Sequence, residues 1–320
     1  MEKTISVIIP VKNGESTLKR CLESIKSQTI SGQVEIIALD SESTDKSREI
    51  LSESGATIIN IPQGTFNHGL TRANGVDYAK GDFLFYTVQD AYLSEDDLLE
   101  KMVDYFQDET VQAVVGHQAV PHEYDKNPLL WFKRFSEPIS EVRYFPDQQF
   151  DKLPLKKKVA LAAWDDVVAM YRKTALVQQP FTKTDFAEDC IWCYQALSRG
   201  WKLIYAPELV VYHYHHRNFS YSFKVAFAVN YHFYLFFKYH PSLPPVFLPM
   251  AKSVYHIAKN KAFSFEKKIY WIWHNLEGLW GTFWSHAYFK SILFFRGGDA
   301  LKNAYNVICK NVPIGKQKNE

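Results

Sequence analysis

Gly81-Asp82-Phe83-Leu84-Phe85-Tyr86-Thr87-Val88-Gln89-Asp90-Ala91 decides how the rest of the chain is read. Phe83 to Thr87 is an unbroken run of apolar, aromatic and β-branched residues after Gly-Asp, which suits an interior strand of a mostly parallel sheet. It ends abruptly in an acidic loop. In such sheets ligands sit outside the carboxyl ends of the strands, which is where Asp90 emerges. A carboxylate there can hold a divalent cation, and a cation there can hold a diphosphate.

The flanking sequence supplies the rest of such a sheet. Ile5 to Pro10 reads as a first strand, and Glu15 to Ser27 carries Leu18, Cys21, Leu22 and Ile25 at helical spacing. Val34 to Leu39 is a second strand ending in Asp40; Ser43 or Thr44 is placed to cap a helix over 45–54. Thr57 to Ile61 is a third strand, and a helix over Asn67 to Lys80 feeds the strand at Phe83. Glu95 to Gln107 reads as helix and Val111 to Gly116 as strand. This alternation specifies an α/β fold with a mostly parallel sheet flanked by helices. Residues 117–160 are less regular and are expected to form a loop and short-helix insert over the cleft. Val167 to Arg172 reads as a strand, and Glu188 to Arg199 as a helix stopped by Gly200. Trp201 to Tyr205 and Leu209 to Tyr212 read as short extended pieces.

With 320 residues, 47% apolar and 22% charged, the chain is no disordered segment. Charge is unevenly spread: residues 1–200 carry −8 and residues 201–320 carry +10. A basic region rich in Phe, Tyr and Trp suits an anionic membrane face better than nucleic acid. Met1-Glu2-Lys3 leads straight into the first strand with no signal peptide, and no run of ~18 uncharged apolar residues is present. The nearest candidate, Tyr221 to Phe237, is interrupted by Lys224, Asn230 and His232. Cys21, Cys190, Cys193 and Cys309 give no disulfide framework, which fits a reducing cytoplasm. Cys190-x-x-Cys193 is a lone pair in a helical pattern and reads as packing. The expected division is a domain over 1–217 and a helical, basic region over 218–320.

Ser6-Val7-Ile8-Ile9-Pro10-Val11-Lys12-Asn13-Gly14, Asp40-Ser41-Glu42-Ser43-Thr44-Asp45, the acidic loop at Asp90 and Glu188-Asp189 together resemble family 2 glycosyltransferases of the GT-A (nucleotide-diphospho-sugar transferase) fold. Within that family, Phe66-Asn67-His68-Gly69-x-Thr71-Arg72, Gln89-Asp90-Ala91 and Ala187-Glu188-Asp189-x-x-Trp192 look like the rhamnosyltransferase branch. The resemblance covers roughly residues 4–217. It implies an inverting, metal-dependent enzyme that transfers L-rhamnose from dTDP-L-rhamnose to a lipid-linked surface polysaccharide. A hexose from a UDP-sugar, or an inactive nucleotide-sugar-binding scaffold, are the alternatives.

The resemblance places Pro10, Val11, Asp40, His68, Arg72 and Gln89 around the nucleotide, with Asp40 accepting from N3–H of the base. Asp40 also reads as a turn aspartate bracing its own loop, and Arg72 as an arginine paired with a nearby acid. Asp90 is the candidate cation ligand. The family's first acidic position is Val88 here, so His213 or His215 is needed to complete the ligand set for Mn²⁺ or Mg²⁺. Asp189 is the candidate general base, adjacent to Glu188 at a helix start; both also suit the helix dipole. Trp164, Asp165, Asp166, Glu188 and Trp192 fall where the family shapes the sugar and acceptor sites.

From residue 219 onward, Phe223, Phe227, Tyr231, Tyr234 and Phe237 recur at spacings of three and four, and Trp271, Trp273, Trp280, Trp284, Phe294 and Phe295 follow among lysines. Basic aromatic helices of this kind lie in bilayer headgroups. A peripheral place on the inner face of the cell membrane is expected. A packed helical subdomain or a homo-oligomer interface is the alternative.

Overall fold

The structure is a computed structural model that describes residues 3–123, 125–128 and 140–309. It divides into two compact units, Met1–Ala119 with Arg134–Tyr214, and Val120–Lys133 with His215–Glu320.

The first unit is built on a nine-stranded sheet in the order β3-β2-β1-β4-β8-β6-β9-β5, with β7 paired to β9. Its strands are β1 (Lys3–Val11), β2 (Gly32–Asp40), β3 (Thr57–Asn60), β4 (Phe83–Tyr86), β5 (Tyr92–Leu93), β6 (Val111–Ala119), β7 (Glu141–Arg143), β8 (Ala169–Arg172) and β9 (Lys202–Tyr212). β1 to β4 run parallel, as do β6 and β9. β8 is antiparallel to both its neighbours, and β5 and β7 are antiparallel to β9.

β4 has apolar cores on both faces, as its composition requires. Phe85 packs into one with Ile9, Leu22 and Met102, while Leu84 and Tyr86 join the other with Ile8, Trp192 and Leu197. Helices α1 (Leu18–Lys26), α2 (Ser47–Glu53), α3 (His68–Tyr78), α4 (Leu98–Asp104), α5 (Leu155–Leu161), α6 (Lys173–Gln178) and α7 (Glu188–Ser198) connect the strands. α1 buries Leu18, Cys21, Leu22 and Ile25, the stripe its spacing specifies.

Two local expectations are corrected. The side chains of Ser43 and Thr44 do not cap α2; Ser43 Oγ instead accepts from Asn13 N–H, and α2 starts after Lys46 with no side-chain cap. The loops after β1 and β2 are thereby tied together. The two extended pieces after Gly200 form one strand, β9, which bulges at Pro207. A proline cannot donate to a ladder, so the sheet tolerates it at an irregularity. Gly116 makes room opposite, since a Cβ there would lie 2.2 Å from Leu209 O.

The second unit contains α8 (Phe219–Phe237), α9 (Phe247–Lys259) and α10 (Phe265–Ile308). α8 lies along α10 with Phe227 against Phe289 and Tyr231 stacked on Tyr305. Gly297 at φ +75 interrupts α10. The four cysteines are free, and Cys193 is buried in the sheet's core.

Candidate active site

The two-residue strand β5 fixes the acidic loop. Its pairing of Tyr92 with Tyr212 and Leu93 with Val211 holds the turn at Asp90 beside the residue that follows β9. That residue is His213, whose backbone N–H donates to Ala119 O at 3.0 Å. Its Nε2 lies 3.4 Å from Asp90 Oδ1. Gln118 Nε2 donates to Asp165 Oδ2, so the Gln118 carbonyl oxygen faces His213 Nδ1 at 3.0 Å. An amide oxygen only accepts, so Nδ1 carries a proton toward it, and in the neutral ring Nε2 then offers its lone pair toward the carboxylate. Two acceptors at that separation repel unless a cation or a proton lies between them. The donor set, one carboxylate oxygen and one imidazole nitrogen, therefore fits a divalent cation. His215 follows two residues on and begins the second unit.

Gln89 is engaged by backbone: its Oε1 accepts from Lys12 N–H at 2.8 Å and its Nε2 donates to Lys12 O at 3.1 Å. This clamp joins the ends of β1 and β4. Val88 packs partly buried against the core, as an apolar residue should.

Asp189 stands in the first turn of α7, behind Ala187, which adopts the left-handed φ of 62°. A non-glycine residue there costs on the order of 1 kcal/mol and marks an over-determined turn that aims the two acids apart. Asp189 Oδ1 accepts from Cys190 N–H at 2.7 Å and Oδ2 from Asp166 N–H at 3.3 Å. Burial raises the Asp189 carboxyl well above the carboxylate range, and the charges of Glu188, Asp166 and Asp165 add to the rise. Arg72 opposes it.

Arg72 is turned inward. Its Nε lies 3.1 Å from Asp166 Oδ2 and its Nη1 2.5 Å from Glu188 Oε1, and only 6% of the residue is exposed. His68, one turn earlier on α3, accepts from the same Nη1 at 3.2 Å. The surrounding motif explains this placement. Asn67 caps α3 by accepting from Leu70 N–H, accepts also from Thr184 N–H, and donates to Asp185. Gly69 lets the helix meet the following loop: a Cβ would sit 1.8 Å from Thr182 O. The stretch 66–72 thus docks α3 against the loop that carries Glu188 and Asp189. Of the two readings of Arg72, this geometry matches the arginine paired with nearby acids, its guanidinium lying against two buried carboxylates.

At the nucleotide end, Asp40 closes β2 with no exposed surface. Its Oδ2 is 2.6 Å from Arg48 Nη1 and its carboxylate accepts from Ser43 N–H, so it braces its own loop. Val11 is a core side chain, and its carbonyl accepts from Ser41 N–H. Pro10, one position earlier, is partly exposed.

Several residues expected at the sugar and acceptor sites are buried in contacts with the protein itself. Trp192 is wholly buried among Tyr171, Phe181 and Trp201, and its Nε1 donates to Gln179 O. Trp164 Nε1 donates to Tyr171 Oη, which donates to Asp166 Oδ1 at 2.5 Å. Arg72 Nε lies beside the other oxygen of Asp166 at 3.1 Å as an ion-pair partner without hydrogen-bond geometry. Burial is the strongest influence on its carboxyl, which is raised to about 7 although Arg72 pulls it down. Asp165 binds Val167 N–H and Gln118. Burying a wide indole and a tyrosine behind the acids excludes water from one side and leaves Asp189 and Glu188 at the helix start.

Gln118, Arg48 and Tyr171 were not legible as site residues. Gln118 lies near the end of a strand expected to stop at Gly116, and a polar residue toward a strand's carboxyl end was the available signal.

The glycosyl transferase family 2 model matches residues 6–176. The O-antigen chain rhamnosyltransferase RfbN of Salmonella typhimurium is 32% identical over 215 residues, 66% of each chain. The O-antigen chain rhamnosyltransferase WbaN of Salmonella anatum is 30% identical over 217 residues, again 66% of each. The match therefore spans about two thirds of the length of these relatives. Among solved structures, a mannosyltransferase from Pyrobaculum calidifontis in complex with GDP-Man and Mn²⁺ superposes with a TM-score of 0.52 at 15% identity, over 98% of this chain and 82% of that one. S. aureus TarS residues 1-349 give 0.51 at 13% identity, over 100% and 93%. These likenesses establish the fold.

Proposed function

The chain belongs to glycosyl transferase family 2, and on that premise we propose that it transfers L-rhamnose from dTDP-L-rhamnose, with inversion, to a hydroxyl of a lipid-linked surface polysaccharide. The two rhamnosyltransferase relatives support the sugar and the class of acceptor. One observation carries the reading. Contacts run without a break from Asp90 to His213, Gln118 and Asp165, and the backbone N–H of the next residue, Asp166, binds Asp189. A phosphate-side carboxylate and a candidate base therefore share one edge of one sheet.

In this reading Asp189 accepts the proton of the acceptor hydroxyl. The acceptor oxygen forms its bond to the anomeric carbon, the bond from that carbon to the diphosphate breaks, and dTDP leaves with the electron pair. The raised basicity of Asp189 suits proton acceptance. Asp90 and His213 could hold a divalent cation, and the imidazole nitrogen favours Mn²⁺ over Mg²⁺. A bound cation would offset charge on the leaving diphosphate. For the base of the donor, Asp40 would exchange its bond to Ser43 or Arg48 for one to N3–H.

Among the described residues no helix is long and apolar enough to cross a membrane. The second unit nevertheless exposes Phe265, Trp273, Phe294 and Phe295 on α10. We place it on the anionic inner face of the cell membrane, where a lipid-linked acceptor is presented. A second reading, a nucleotide-sugar-binding protein without turnover, is favoured by Val88 standing where an acid is usual.

The test is transfer by the full chain from a panel of nucleotide sugars with Mn²⁺, alongside a thermal-shift screen of the same donors. The expectation is turnover with dTDP-L-rhamnose that Asp189→Asn lowers by about 10²–10⁴-fold. Equal turnover by wild type and Asp189→Asn removes the mechanism, and a donor shift without turnover supports the second reading.

A further inference from the structure

We propose that Gln118 is a positioning residue that selects the His213 tautomer able to accept a cation, an inference that rests on the reading of Asp90 and His213 as ligands. Gln118 lies near the end of β6, paired with Val211 of β9, and its amide spans from Asp165 to His213. Asp165 Oδ1 accepts from Val167 N–H and its Oδ2 accepts from the Gln118 amide, so this neighbour calls for the amide N–H₂ on its side. That demand turns the amide oxygen to His213 Nδ1, which must then donate.

The alternative tautomer shows why this matters. A proton on Nε2 would point at Asp90 Oδ1, 3.4 Å away, and form a hydrogen bond occupying both side chains at once. In the neutral ring, which carries a single N–H, Gln118 opposes that closure by holding the proton on Nδ1. Outer partners of a ligating histidine fix its tautomer in this way, and their loss costs about 10–100-fold in metal affinity. Glutamine suits the position because it offers a donor to one neighbour and an acceptor to the other. Methionine offers neither, and glutamate keeps only the acceptor. Asp165 also precedes Asp166, whose N–H holds Asp189, so one loop sets the orientation of both His213 and the base.

The test uses the full chain without metal and ¹⁵N-labelled histidine, with His213 assigned by comparison to His213→Gln. The wild-type spectrum should show His213 protonated on Nδ1 with a bare Nε2. In Gln118→Met the Nε2–H form should appear, and in Gln118→Glu the Nδ1–H form should persist. Mn²⁺ titration, read by loss of the free-ion EPR signal, should show binding weakened about 10–100-fold in Gln118→Met and less so in Gln118→Glu. A wild-type His213 protonated on Nε2 overturns the proposal whatever the variants do. Mn²⁺ binding lost in His213→Ala but unchanged in Gln118→Met overturns it while leaving the ligand reading intact. Equal Mn²⁺ binding, or none, in wild type and His213→Ala removes the ligand reading as well.

Discussion

Arg72 Nη1 lies 2.5 Å from Glu188 Oε1, and this ion pair joins the first turns of α3 to the first turn of α7 with both side chains almost wholly buried. The same guanidinium holds Asp166. Asp165 and Asp189 add two more carboxyl groups in the neighbourhood, and Arg72 is the cation that draws on them all. The arrangement keeps an acidic cluster in place without neutralising it, which leaves Asp189 more basic than a solvent-exposed aspartate.

Arg72→Met should be strongly destabilising. Removing one partner of a buried ion pair leaves an uncompensated charge and costs about 3–5 kcal/mol, and here two carboxylates lose their partner. Adding Asp166→Asn to Arg72→Met should recover part of the loss, because the amide needs no counter-charge. Urea melts of the two variants and wild type measure both effects. A single variant within 1 kcal/mol of wild type would show that the cluster protonates at little cost and that Arg72 is dispensable (~1 kcal/mol being the size of an ordinary substitution).

Asp189→Asn should lower kcat by about 10²–10⁴-fold while leaving donor binding by thermal shift intact. The pH profile carries a sign. A base whose folded pKa is raised is protonated and idle below that pKa, so kcat/KM should rise with pH through a value above the ordinary carboxylate range. Glu188→Gln removes a charge that raises Asp189 and releases Arg72 to lower it further. The acid limb should therefore move to lower pH in that variant. A limb that stays in place would mean that another group governs it.

The parallel half of the sheet was readable because its signals are local: strand composition, a two-faced apolar run at Phe83 to Tyr86, and the helical stripe of α1. That Asp189 opens a helix and that Asp90 follows a strand were readable from the local pattern. Inward-facing roles were not. Nothing local distinguishes an Arg72 that meets a ligand from one buried against Glu188, since the partner lies over a hundred residues away. The burial of Trp192 was illegible for the same reason, as a tryptophan in a site motif packs or binds according to tertiary surroundings. β9 was read as two pieces because Pro207 interrupts the pattern, while the accommodating Gly116 belongs to another strand.

Gly69→Ala should damage both stability and activity. The added Cβ would lie 1.8 Å from the Thr182 carbonyl oxygen, a backbone atom that cannot rotate away. Either α3 or the 182–184 loop must shift, and such overpacking costs about 1–3 kcal/mol. The shift would also pull Arg72 from Glu188. The expected result is a lowered melting temperature and a drop in kcat with little change in Mn²⁺ affinity, because Asp90 and His213 stand on other elements. Unchanged kcat would show that the α3 contact does not position the acids.

On α10, Phe265, Ile269, Trp273, Trp284, Tyr288 and Phe295 are exposed at spacings of four, seven and eleven residues, which is one helical face. Lys267, Lys268 and Lys290 lie on the same helix. An aromatic face flanked by lysines gains from burial in headgroups and from anionic lipid, by about 1 kcal/mol per basic residue near the surface. Trp273→Ser combined with Phe294→Ser and Phe295→Ser removes side chains that are 66%, 83% and 78% exposed, so folding should be little affected. With about 1.5–3 kcal/mol lost per side chain that had been fully buried in lipid, and less for a shallow one, the triple variant should bind phosphatidylglycerol vesicles at least tenfold more weakly. Wild-type flotation should also fall with salt, because the lysine contribution is screened. Flotation of the triple variant equal to wild type would remove this face as the membrane contact, and concentration-dependent self-association lost in the same variant would assign it to a second copy of the chain.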